Sequence, residues 1–271
     1  MNRASMKQTY FLRLLNKESL LRQSIVALMM LYVGGCHYTN RANVLSPQED
    51  RARREALRMV KASQGTLAPV YKPLAQQISK DFQLSEKTGI GIDIGSGPGT
   101  LIIELCKCTK LHWINADINP YFFGYFHKMA ANSGIEHRVS SVLADVHDLP
   151  FRSNYADFIV SRGSYRFWDN KVKAFGEIYR VLKPGAAAYI GRGFSRNLPV
   201  ETAKRIRAKQ GGKMNYDIEE KAKELRLLMK QLDIKEYRIH KPGTGHSEKV
   251  NYGIWIEFRK PDSAEHRKGL N

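Results

Sequence analysis

The sequence predicts an α/β protein: a doubly wound, mostly parallel sheet of seven strands with helices on both faces and an antiparallel hairpin at the C-terminal end. Three observations carry this. Short apolar runs alternate with segments of helical period between Gly89 and Gly191, the pattern of parallel strands joined by crossover helices. A glycine-rich turn, Gly95-Ser96-Gly97-Pro98-Gly99, separates the first such run from the helical segment after it. The last apolar runs, Ile234 to His240 and Gly253 to Arg259, are joined through GTGHSEKVN and read as two strands of a hairpin.

Taken in order, Gln48 to Gln83 reads as helix. SPQEDRARREALRMV places a proline near a helix start with acids in the first turn, and Ala56 begins an apolar stripe. Leu67 to Phe82 continues the pattern, with Pro73 marking a kink or restart. The period then changes: GIGIDI (Gly89 to Ile94) is a first strand, and Thr100 to Lys107 has apolar positions that fit a helix. Leu111 to Ala116 is a second strand, Asn119 to Ser133 a helix and Val139 to Leu143 a third strand. Ala156 to Ser161, Asp169 to Leu182 and Ala186 to Gly191 repeat strand, helix and strand. Pro199 to Leu232 is a basic helical stretch broken at Gly211-Gly212. No internal repeat and no low-complexity segment interrupts the series. The expected organisation is a leader over 1–45, one domain over 46–262 and a polar tail over 263–271.

With 271 residues and 42% apolar content the chain can bury a full core, which excludes collagen-like, disordered and multi-pass membrane classes. A formal charge of +18 suits an anionic partner, whether nucleic acid, phospholipid or an acidic small molecule, and does not choose among them. Much of the excess lies in Arg3 to Lys61 and Arg196 to Lys241, where Lys and Arg mix with Glu at helical spacing, as on solvated amphipathic faces. Three cysteines, Cys36, Cys106 and Cys108, make no disulfide framework and point to a reducing compartment. Cys106 and Cys108 stand two apart on a helix and face different directions, so no metal site is expected there.

The leader admits several readings. Ser24 to Gly35 is an apolar run of twelve behind a basic segment, ending at Cys36 in a Val-Gly-Gly-Cys sequence that resembles a lipoprotein cleavage box. Twelve residues are too few to cross a bilayer. An amphipathic or buried helix contacting the folded domain or a membrane surface competes with export, as does a mistaken start codon. The expectation is a cytoplasmic protein with membrane contact through 24–35, export being the lesser alternative.

Asp93 near the end of a strand, then Gly95-x-Gly97-x-Gly99, then a helix make a turn for a phosphate or carboxylate of a nucleotide-type ligand. Side chains there would keep the ligand from the backbone and the helix N-terminus. In dinucleotide-binding turns the third glycine falls three residues after the second; here Thr100 occupies that place. Asp117 closes the second strand, where a carboxylate faces a ribose; its other reading is a turn acid before Asn119-Pro120. Asp145 follows the third strand, where it or the Val146 amide can meet an adenine edge. Three acids along one sheet edge exceed what capping explains.

GIDIGSGPGT, NADINP, ADVHDLPFRSNYADFIVSRGS and AFGEIYRVLKPGAAAYIG resemble, in order, the signatures of class I S-adenosylmethionine (SAM) dependent methyltransferases with a Rossmann-like sheet. They are similar to the small-molecule type that includes the ubiquinone and menaquinone C-methyltransferases, over residues 48–260. The resemblance implies SAM as cofactor. It implies that Asp93, Gly95, Ser96, Gly97 and Gly99 hold its methionine end and ribose, and that Asp117, with Ile118 beside it, meets the ribose hydroxyls. Asp145 and Val146 would meet the adenine, and Ser161 and Arg162 would lie beside the methyl group. Ala186-Ala187 depart from the family's second glycine, and residues 1–45 have no counterpart.

The implied acceptor is a small molecule, aromatic, quinone-like or anionic. SRGSYRFWD after the fourth strand offers Arg162, Tyr165, Arg166, Phe167 and Trp168 to it, although Phe167 and Trp168 suit packing under the N-terminal helices equally well. His127, His147 and His246 are candidate bases, and none is assigned. The charge also favours an RNA or protein methyltransferase, but no Asn-Pro-Pro-Tyr-type motif follows the fourth strand and no nucleic-acid module is added. Against a SAM-fold protein without catalysis stand the intact glycines and acids.

Overall fold

The structure, a computed structural model, describes residues 45–209, 217–241 and 253–262. Helices α1 (Pro47–Gln64) and α2 (Ala68–Asp81) precede β1 (Ile90–Ile94) and α3 (Thr100–Cys106). Then follow β2 (His112–Asp117), α4 (Phe123–Asn132), β3 (Val139–Leu143), β4 (Ala156–Arg162) and α5 (Lys171–Val181). The chain continues through β5 (Leu182–Gly193), α6 (Val200–Lys209), α7 (Ile218–Gln231), β6 (Tyr237–His240) and β7 (Gly253–Arg259). The sheet has seven strands in the order β3-β2-β1-β4-β5-β7-β6, and β7 runs antiparallel to both neighbours. The strand order reverses between β1 and β4, so the crevice outside their C-terminal ends is where such a sheet receives a ligand.

Both sheet faces are covered, for a reason visible in the strands. β1, β4 and β5 are apolar at successive positions, so each side of the sheet must be buried. Ile92, Ile114, Ile159 and Ile190 pack with Phe175 and Ile178 of α5 and Leu225 and Met229 of α7. Trp113, Phe158, Val160 and Tyr189 pack on the other side with Leu74 and Ile78 of α2, Ile102 of α3 and Ile206 of α6.

Two expectations for the helices need correction. The N-terminal helical stretch breaks at Gly65 to Leu67, between α1 and α2, whereas Pro73 lies inside α2. Near a helix start a proline deletes one hydrogen bond only, and the loss is tolerated where apolar packing on both sides of it holds the helix. The stretch from Asn119 starts as a short 3-10 turn, Pro120–Phe122, capped by the Asn119 side chain, which accepts from the Tyr121 N–H at 3.1 Å. The second strand runs one residue later than expected and includes Asp117.

The Lys183-Pro184-Gly185 piece is a bulge inside β5. Ala156 pairs with Leu182 but Phe158 pairs with Ala187, and Lys183 Nζ reaches across to Asp157 at 2.6 Å. The Leu149-Pro150-Phe151 piece is clamped from α5. Arg180 donates to the Leu149 and Phe151 carbonyls at 3.1 and 2.8 Å and pairs with Glu177, which accepts from the Leu149 N–H at 2.9 Å. Hydrogen bonding to this pair lowers the Glu177 pKa and raises that of Arg180. Arg180→Ala leaves two loop carbonyls and a carboxylate without their donor, and we expect a loss of roughly 2 kcal/mol in urea unfolding. A variant as stable as the wild type would show that solvent replaces the clamp.

The expected membrane contact is corrected. Among the described residues no helix is long and apolar enough to cross a membrane. The one of greatest length, α1, carries charged residues through most of its turns and has a single buried stripe, Ala56, Val60 and Ser63. Ser24 to Gly35, Cys36, the Gly211-Gly212 break and His246 lie outside the described residues.

Candidate active site

At the C-terminal ends of β1, β2, β4 and β5 lies a cavity of about 600 Å³, within the range of small-molecule sites. Its wall includes Gly95 and Gly97 from the turn, Asp117 and Ile118 from the end of β2, and Asp145 and Val146 from the segment after β3. Arg162 and Trp168 join it from the end of β4 and beyond. Asp93, Ser96, Gly99, Ser161 and Tyr165, also singled out from the sequence, are not part of the wall.

The turn is built by long-range hydrogen bonds that the local sequence does not announce. The Gly95 N–H donates to the Ala116 carbonyl at 2.7 Å. Asn115, fully buried on β2, donates through Nδ2 to the Gly97 carbonyl at 3.1 Å. The Gly97 N–H donates to Asp117 Oδ2 at 2.7 Å, and the Asn119 N–H to Asp117 Oδ1 at 2.8 Å. Asp117 is therefore both a cavity-wall acid and the acid that closes its own turn. Burial raises its pKa, and hydrogen bonds from the Asn119, Gly97 and Ile118 N–H groups oppose this.

The three glycines divide by what a side chain would meet. A Cβ on Gly95 would sit 2.4 Å from Ser164 Cβ, and one on Gly99 would sit 2.2 Å from the Phe126 ring. A Cβ on Gly97 meets only the Phe122 ring edge at 3.9 Å. Gly95 and Gly99 thus allow close packing within the protein. Gly97, at φ +58°, leaves a cradle that is open to a ligand.

Asp93 lies beneath this turn, 2% exposed. Its Oδ2 accepts from the Ser96 hydroxyl at 2.9 Å, while its Oδ1 is buried with no hydrogen-bond partner. Burial pushes its carboxyl up to about 7; the Asp117 charge acts the same way, and the Ser96 hydroxyl and Arg162 guanidinium oppose it. A carboxyl held above its unfolded value, near 3.9, favours folding fully below pH 4, and that contribution is lost as pH rises through 7. Between pH 5 and 8 the unfolding free energy of the wild type should fall by on the order of 3 kcal/mol more than that of Asp93→Asn. Parallel urea curves across this range would remove the assignment.

Near the end of β4, Ser161 is fully buried and shares a hydrogen bond with Ser164 at 2.5 Å; Ser164 Oγ also lies 3.1 Å from the Ile94 carbonyl. Ser164, missed in the sequence, holds the cavity position expected of Ser161. Tyr165 packs edge-on to Trp168 at 6.4 Å, and Trp168 packs edge-on to Phe175. Ile118 and Phe167 are each 68% exposed at the cavity wall, an unusual placement for large apolar groups that suits the face of a planar ring. Asp145 Oδ1 accepts from the His147 N–H and Nδ1 at 2.9 and 2.7 Å, and chiefly that backbone bond holds its pKa low. His147 Nε2 faces the Asn170 N–H at 3.3 Å, so both ring nitrogens are engaged. His127 Nε2 lies 3.0 Å from Ser141 Oγ.

Other wall residues left no local signal. Glu55, Arg58 and Met59 come from α1, which Asn119 Nδ2 anchors at the Ala52 carbonyl, 2.9 Å away. Arg192 and Arg207 come from β5 and α6. A pattern search around the glycine turn cannot find them, because only the sheet order brings them to it.

Residues 92–190 match the model of the family described as "Methyltransferase domain". A ubiquinone/menaquinone biosynthesis C-methyltransferase of Vibrio cholerae is 35% identical over 96 residues, covering 35% of this chain and 37% of that protein. A chloroplastic 2-methyl-6-phytyl-1,4-hydroquinone methyltransferase of Arabidopsis thaliana is 33% identical over 100 residues, covering 36% and 28%. The matched segment thus spans between 28% and 37% of the length of these curated relatives. Among solved structures, one from Methanococcus maripaludis, assigned as a SAM-dependent methyltransferase, is 32% identical with a TM-score of 0.68. That likeness covers 78% of this chain and 94% of that one. A SAM-dependent methyltransferase of Aquifex aeolicus, 18% identical over 76% of this chain and 97% of its own, shares the fold at a TM-score of 0.54. With near-complete coverage of a relative at this identity, on a sheet of this order and with the glycine turn at its switch point, the chain belongs to the SAM-dependent methyltransferases of class I.

Proposed function

We propose that the protein transfers the methyl group of SAM to a small-molecule acceptor. The observation that carries this is the cradle at Gly97, fixed by hydrogen bonds to Asn115 and Asp117 and lining the cavity. The exposed Ile118 at the cavity wall fits a ligand with a flat aromatic end. Gly95 and Gly97 would take the cofactor's backbone side, Asp117 its ribose hydroxyls, Ile118 the adenine face, and Asp145 with the Val146 amide the adenine edge. Bound SAM supplies a methyl group already activated on a sulfonium.

The chain's own residues then need to hold the acceptor in line and keep water out, and positioning of this kind can contribute several kcal/mol. Trp168 and Phe167 supply apolar wall for a planar acceptor, and Arg162 stands at the same edge. The names of two curated relatives, a ubiquinone/menaquinone biosynthesis C-methyltransferase and a 2-methyl-6-phytyl-1,4-hydroquinone methyltransferase, support an aromatic acceptor. Titration of the full-length protein with SAM and with S-adenosylhomocysteine by isothermal calorimetry tests the reading. One site for each is expected, and no heat with either would overturn it.

A further inference from the structure

Helix α1 is attached unevenly along its length. Its buried residues, Ala56, Val60 and Ser63, all lie in the C-terminal half, which leads into Leu67, itself buried and part of the cavity wall. The Gly65 and Leu67 N–H groups close that end by donating to the Lys61 and Ala62 carbonyls at 3.1 and 2.9 Å. From Pro47 to Glu55 no residue is buried, although burial of an apolar face is what holds most helices to a domain. Yet Glu55 lines the cavity, followed by Arg58 and Met59.

The N-terminal half is tied instead to the edge of the cavity that carries Asp117. The Asn119 N–H donates to Asp117 Oδ1 at 2.8 Å, and Asn119 Oδ1 accepts from the Tyr121 N–H at 3.1 Å. These two bonds fix the residue within its own turn and aim the rest of its amide. Nδ2 then donates to the Ala52 carbonyl of α1 at 2.9 Å. A carbonyl inside a helix accepts from the N–H four residues on, so this bond adds to the helix's own set and joins two elements. Ala52, Glu55 and Met59 are three and four residues apart and share one face; the tie therefore turns Glu55 and Met59 toward the cavity. Burial raises the Asp117 pKa and the Glu55 charge adds to it, as expected of two carboxylates facing the same corner.

We propose that Asn119 is a positioning residue for the cofactor. It latches the N-terminal half of α1 to the Asp117 turn, so that a ligand held by Asp117 seats α1 over itself and completes the wall with Glu55, Arg58 and Met59. This rests on reading the cavity as a SAM-dependent site. A ribose on Asp117 removes the remaining freedom of the Asp117 to Asn119 segment and presents the Asn119 amide to α1 in one orientation. The seated helix in turn covers the ligand, and each stabilises the other by mass action.

The test is hydrogen–deuterium exchange of the full-length protein, alone and with S-adenosylhomocysteine at about 100 times its Kd, where linkage limits the slowing to about 100-fold. In the wild type the amides of Arg51 to Ala56 should slow by about tenfold or more, together with those of the Gly95 to Gly99 turn. Asn119→Ser keeps a side-chain oxygen for the Tyr121 N–H and removes the donor to Ala52. It should still bind S-adenosylhomocysteine and slow the glycine turn, while the slowing over Arg51 to Ala56 drops below about threefold. Asn119→Asp, which also caps and cannot donate, should give the same pattern, and it decides if the serine variant does not fold. A residue that only supports the fold would change both segments alike or neither. The proposal is overturned if the ligand leaves α1 exchange unchanged in the wild type, if the folded variants slow α1 as the wild type does, or if they lose the slowing in both segments together. Failure of S-adenosylhomocysteine to bind the wild type in calorimetry would instead remove the underlying reading.

Discussion

Gly97→Val should abolish binding of SAM and S-adenosylhomocysteine while the protein still folds. A Cβ at this position meets nothing nearer than the Phe122 ring edge at 3.9 Å, and valine's methyl groups extend beyond it toward the cavity that Gly97 lines, where the cofactor backbone would lie. The cost to the fold is confined to φ +58°, a region a β-branched residue occupies at roughly 1–3 kcal/mol. Gly99→Ala should behave in the opposite way. Its single methyl group would stand 2.2 Å from the Phe126 ring, a buried side chain that cannot yield without disturbing the α3 and α4 packing. Circular dichroism and calorimetry on the two variants separate the roles. A folded Gly97→Val protein with native affinity would make the turn purely structural.

Asp117→Ala should weaken S-adenosylhomocysteine by about 100-fold, from the loss of two charge-assisted hydrogen bonds worth roughly 1.5–3 kcal/mol each, partly replaced by water. It should also lower stability by roughly 1–3 kcal/mol, because the Gly97 and Asn119 N–H groups lose their acceptor. Asp117→Asn keeps one side-chain oxygen for the turn and should recover part of the stability with a smaller recovery of affinity. Equal affinity in the wild type and a folded Asp117→Ala variant would remove the ribose role and leave only the turn.

The strands and the glycine turn were legible because they are local. Gly253–Arg259 lies where its apolar run placed it, since a buried strand is apolar at most positions, and a turn of this kind must be glycine-rich. Asp117 was legible for a related reason: it is the last residue of β2, on the C-terminal edge where the ligand crevice of a parallel sheet opens. Of the kink or restart expected at Pro73 no restart occurs, because propensity is a weak guide once a helix is packed; Val70, Leu74 and Ile78 are each fully buried around it.

What the sequence by itself determined is the class of sheet and the place of the glycine turn after its first strand, both of which follow from period and local turn chemistry. Only the tertiary structure decided which members of each motif reach the cavity. It set Gly97 against Gly99, Ser164 against Ser161, and Trp168 against Tyr165. It also placed Arg192 and Arg207, far along the chain, in the same wall as Arg162. The physical reason is that a side chain's surroundings at a strand end depend on neighbouring strands and the helices laid over them. Those neighbours come from distant segments, and hydrogen bonds such as Asn115 to Gly97 are fixed only when the strands pair in register.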